Sequence, residues 1–95
     1  MKWSDAALQS LAEIVDYYEA EAGIELAEFV EGSILSCVEG YAAFPLSAEA
    51  SDMYLGTRRI VIARLPYVAF IREASGEWQV VDVVHTSRRL PKDET

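Results

Sequence analysis

The chain has one cysteine, one histidine and three prolines, and no lysine occurs between Lys2 and Lys92. A single cysteine excludes an intrachain disulfide, and Cys37, set in an apolar stretch, reads as a small buried hydrophobe in a reducing compartment. One histidine beside one cysteine leaves no paired ligands at metal-binding spacing, and no glycine-rich phosphate loop is present, so neither a metal nor a cofactor is expected. No apolar run approaches the ~18 residues of a membrane span, which excludes the membrane as a partner. Met1-Lys2-Trp3 leads straight into a mixed polar and apolar pattern without a secretory block, so the expected location is cytoplasmic.

Basic residues are scarce in one part of the chain only. Residues 1 to 52 carry eleven carboxylates against Lys2, whereas residues 53 to 95 carry seven bases against five acids, and the net charge is −8. The bases gather around Gly56-Thr57-Arg58-Arg59 and His85-Thr86-Ser87-Arg88-Arg89. A phosphate binder draws most of its affinity from Lys and Arg, so this balance argues against direct sequence-specific nucleic-acid binding. Ninety-five residues with 52% hydrophobic and 25% charged side chains form one folded domain, residues 1–95, able to bury roughly 60 to 65% of its unfolded surface.

Ser4 followed by Asp5 is a helix start, with a capping hydroxyl and a negative charge at the positive end of the dipole. Ala7, Leu8, Leu11, Ile14, Val15, Tyr18 and Ala22 then recur at spacings of three and four, and Gly23 stops the helix. Ala27, Val30, Ile34, Cys37, Val38 and Tyr41 repeat the period as far as Gly40 to Pro45, and so short a connection predicts an antiparallel helical hairpin. Residues 44 to 55 read as a surface loop. After Gly56 the period changes to two. Arg58 to Ala63, Tyr67 to Arg72 and Trp78 to His85 are predicted strands joined at Leu65-Pro66 and Ser75-Gly76. The apolar run Val80, Val81, Val83, Val84 predicts that the last strand is central or covered on both faces. The fold class is α+β, an N-terminal antiparallel helical hairpin packed on a C-terminal three- to four-stranded antiparallel sheet.

A standard active site is hard to assemble from these residues. The serines lie in caps and turns, and the carboxylates sit on helix faces where solvation accounts for them. His85, at the end of an apolar strand, fits proton transfer or plain hydrogen bonding. Arg88 and Arg89 provide two guanidinium forks for a phosphate or a carboxylate, or form a solvated tail. Arg58 and Arg59 alternate faces, so the inward one is expected to pair with a helix carboxylate and the outward one to be free to bind. Arg64 and Arg72 read as exposed strand charges. Tyr67 reads as core or cross-strand packing, with a stacking platform as the alternative.

Trp3-Ser4 with Ala7, Leu11, Ile14 and Tyr18, then Gly56-x-Arg58, Pro66-Tyr67-Val68-Ala69-Phe70 and Val83-Val84-His85-x-x-Arg88, together resemble the RelE/ParE superfamily of type II toxin-antitoxin (plasmid stabilisation) toxins. The resemblance implies a toxin neutralised by a cognate antitoxin, a small DNA-binding protein encoded by an adjacent gene. RelE-like members cleave mRNA on the ribosome with a lysine-rich site and an arginine after the strand-opening aromatic. Here Val68 follows Tyr67 and the lysines are missing, so the resemblance is nearer to the ParE branch, which inhibits DNA gyrase. The alternatives are a RelE-like endonuclease, with His85, Arg58 and Arg88 as candidate catalytic residues, and an inactive antitoxin-binding member. The implied surface for target or antitoxin comprises Arg58, Arg59, Arg64, Tyr67, His85, Arg88 and Arg89. Only Met1 to Trp3 precede the first helix, which leaves room for no more than a shortened first strand.

Overall fold

The computed structural model describes residues 1–52 and 54–87; Arg88 and Arg89 therefore lie outside the described residues. Strand β1 spans Lys2–Trp3, helix α1 Asp5–Ala22 and helix α2 Ile24–Glu39. A 3₁₀ turn at Pro45–Ser47 leads to strand β2 at Glu49–Ala50, followed by β3 at Arg58–Val61, β4 at Tyr67–Ala74 and β5 at Glu77–His85.

Ser4 starts α1 and also ties it to the sheet. Its Oγ accepts the Ala7 N–H at 3.1 Å and donates to the Val81 carbonyl at 2.9 Å, while its own N–H donates to the Val80 carbonyl at 3.0 Å. The link between the helices is one residue long. Gly23 has φ +101° and ψ 165°, and its N–H closes α1 on Glu19 O as its carbonyl accepts the first α2 bond from Ala27 N. That backbone region is almost restricted to glycine, which is why the helical hairpin turns here.

The sheet has five strands in the order β1-β5-β4-β3-β2. Two antiparallel pairs, β3 with β4 and β4 with β5, match the expected meander, and two short strands extend it. β1 pairs parallel with β5 through Lys2 opposite Gln79 and Trp3 opposite Val80, and β2 pairs antiparallel with β3. The sheet is therefore mixed, and the shortened first strand is present as two residues. Two-residue strands show no alternation in sequence, which is why β2 reads as loop.

Ala7, Leu11 and Ile14 of α1 and Val30, Ile34 and Val38 of α2 pack with Ile60, Ile62, Ala69, Ile71, Val80 and Val83 to form the core. By area burial, each such Val, Leu or Ile contributes about 1.5 to 3 kcal/mol. The strand covered most completely is β4, whose residues 67 to 71 are all buried, with Tyr54 packing edge-on against Phe70 at 4.8 Å between ring centres. β5 is an interior strand, yet Val81 and Val84 are only half-buried. The register explains this. Phe70 faces Asp82 but Ile71 faces Val80, so Val81 is an extra residue in a bulge. The bulge lets Val80 and Val83, three residues apart, both enter the core, which a regular strand of period two does not allow.

Candidate functional site

The seven residues singled out in the sequence separate into different places. His85 ends β5 opposite Tyr67, the first residue of β4. Their rings meet edge to face at 5.3 Å, and Tyr67 meets Tyr18 of α1 at 6.5 Å. Tyr67 is buried, as core packing requires. His85 Nδ1 accepts the Ser87 N–H at 3.1 Å and lies 2.8 Å from Ser87 Oγ. Accepting a backbone N–H puts the ring proton of a neutral imidazole on Nε2.

Arg58 stands at the other end of the sheet. It pairs with Ile71 while His85 pairs with Tyr67, so four residues along and two strands across separate them by roughly 16 Å. Arg58 Nη1 donates to the carbonyls of Ala48 at 2.7 Å and Leu46 at 3.3 Å, fastening the loop that carries β2. Arg59 forms a fork on Glu49 Oε1, from Nε at 3.1 Å and Nη2 at 2.8 Å. Neither arginine takes the helix carboxylate expected of the inward one. β2 supplies carbonyls and a carboxylate much nearer in the sheet, across the ladder pair Glu49 and Arg59. Arg64 is exposed, but it occupies the turn between β3 and β4 with φ 68° rather than a strand.

Around His85 the structure opens a cleft of about 630 Å³ between α1 and the C-terminal half of β5. Ser10, Glu13 and Tyr17 fall on one face of α1, at spacings of three and four, and form one wall. Asp82, His85 and Ser87 form the other. Asp82 follows the bulge, which re-aims its side chain towards α1. Its Oδ1 accepts the Ser10 hydroxyl at 2.6 Å and the Val83 N–H at 2.8 Å. Sequence reasoning found His85 and Tyr67 but missed Ser10, Glu13, Tyr17 and Asp82, because the α1 carboxylates look like a solvated face and the bulge leaves no periodic signal. Among the described residues the cleft has no Lys or Arg in its lining, and no three His, Cys, Asp or Glu side chains are grouped to hold a metal.

The family model for the ParE toxin of the type II toxin-antitoxin system parDE matches residues 1–90. The chain belongs to the ParE toxin family. This is the branch of the RelE/ParE superfamily towards which Gly56-x-Arg58 and Val83-Val84-His85 point. A solved structure of the chromosomal ParDE TA system from P. aeruginosa has the same fold as this ParE-family chain, with a TM-score of 0.81 at 24% identity, covering 88% of this chain and 91% of that one. No curated protein matches the sequence significantly. Among the described residues of this ParE-family toxin, no helix is long and apolar enough to cross a membrane.

Proposed function

We propose that the chain is a single-domain, cytoplasmic toxin that inhibits DNA gyrase and is neutralised by a cognate antitoxin from an adjacent gene. The observation that carries the gyrase reading over mRNA cleavage is the chemistry around His85. Phosphodiester cleavage needs cations placed where negative charge develops. The described lining of this cleft offers Glu13 and Asp82 instead, and Arg58 is held roughly 16 Å away by the strand geometry. A protein target makes no such demand. The antitoxin reading is supported by the family membership and by the solved relative, which is part of a ParDE TA system.

The test is induction of the chain in a bacterial host with and without the neighbouring open reading frame. Growth arrest relieved by the neighbour, with no new 5′ ends inside coding sequences by primer extension, is the expected result. New mRNA ends would establish the RelE-like reading, and harmless expression together with the absence of an adjacent antitoxin gene would favour an inactive member kept as a binding module.

A further inference from the structure

The cleft between α1 and β5 has a second property, independent of which enzyme the toxin inhibits. Its volume of about 630 Å³ lies in the range of ligand-binding clefts rather than packing defects. Three tyrosines, Tyr17, Tyr18 and Tyr67, line it as a connected series, Tyr17 against Tyr18 at 5.2 Å and Tyr18 against Tyr67 at 6.5 Å, and the His85 ring extends the series beyond Tyr67. Glu13 and Asp82 add two carboxylates, and no basic side chain among the described residues lining the cleft answers them. Asp82 Oδ1 is taken by Ser10 and Val83, and among the described residues Glu13 Oε2 accepts the exposed Gln9 amide at 3.3 Å.

Aromatic faces beside carboxylates favour a cation, and a planar guanidinium stacks on rings while its N–H groups fork onto carboxylate oxygens. We infer that this cleft binds the arginine side chain of a segment presented by a partner protein. The charge pattern selects that occupant. An acidic segment would meet Glu13 and Asp82, and a purely apolar one would bury both carboxylates without a counter-charge. Tyr17 and Glu13 are exposed at the rim, so an incoming side chain meets them first.

The experiment is a titration of the full chain, followed by NMR, with N-acetyl-arginine amide and, in parallel, N-acetyl-glutamine amide. The expected result is a saturable shift of the Tyr17, Tyr67 and His85 signals with the arginine probe and none with the neutral one. Glu13→Gln and Tyr17→Ala should each weaken the arginine probe by about two- to fivefold, and Glu25→Gln on α2 should leave it unchanged. Because both cleft positions are exposed, their amide spectra report that the fold is intact. Absence of saturation, equal binding of the neutral probe, or indifference to both cleft variants would overturn the proposal. So would tighter probe binding by an Arg88→Ala/Arg89→Ala variant whose free ring signals also move, since that would assign the cleft to the chain's own basic segment. None of these readouts depends on gyrase, so the proposed function stands or falls separately.

Discussion

The Ser10 hydroxyl on α1 donates to Asp82 Oδ1 on β5 at 2.6 Å, across 72 residues of sequence. The same oxygen accepts the Val83 N–H, so one carboxylate joins the helix to the strand just beyond the bulge. A hydrogen bond to a charged acceptor contributes about 1.5 to 3 kcal/mol, and a part-buried carboxylate left without donors costs a similar amount.

From this pair follows a coupling prediction. Ser10→Ala and Asp82→Ala should each destabilise the fold by about 1 to 3 kcal/mol, and the double variant should lose less than the two effects added together. Urea denaturation of the four proteins closes the cycle. Strict additivity would show that the two side chains do not act on one another.

At Ser4 one hydroxyl both caps α1 and donates to the Val81 carbonyl. Ser4→Ala should cost about 1 to 3 kcal/mol, above the ~1 kcal/mol typical of a cap alone, and Ser4→Thr should recover part of it. The same denaturation curves measure this, and a loss below ~0.5 kcal/mol would mean the long-range bond carries no stability.

Gly23→Ala meets no steric obstacle, because nothing lies within 4 Å of the added Cβ. Its φ of +101° is the difficulty. The variant should lose about 1 to 3 kcal/mol through backbone strain alone. Thermal melting checks it, and an unchanged midpoint would show that the hairpin link relaxes to an ordinary conformation.

What the sequence revealed and what it concealed divide along physical lines. Ser4 and Gly23 were legible because caps and breakers act on neighbouring residues. The helix faces of Ala7, Leu11, Ile14, Val30, Ile34 and Val38 were legible from their period, and Ser75-Gly76 from its turn chemistry, with φ of 54° and 82° at the two positions. The partners of Arg58 and Arg59 were not, since they depend on β2, whose two residues carry no pattern. Leu8 shows the limit of periodicity, for it repeats with the core yet stays half exposed on the outer side of α1. The cleft was legible only in part. His85 and Tyr67 stood out as isolated residue types, but bringing Glu13, Tyr17 and Asp82 to them needs the packing of α1 on β5 and the bulge at Val81.

Arg58 and Arg59 can be told apart by substitution. Arg59→Ala removes a half-exposed ion pair to Glu49 and should change stability by no more than ~1 kcal/mol. Arg58→Ala leaves the carbonyls of Leu46 and Ala48 without their donor and should loosen residues 46 to 50. Hydrogen exchange along this segment reads the difference. Equal protection in both variants would contradict the anchoring role of Arg58.

The central claim, a ParE toxin directed at gyrase, is tested most directly by DNA supercoiling with purified gyrase in the presence of the purified chain. Supercoiling should fall as the chain is added and return when the product of the adjacent gene is supplied. Supercoiling unaffected at any ratio of chain to gyrase, while the induced chain arrests growth and cuts mRNA, would contradict it.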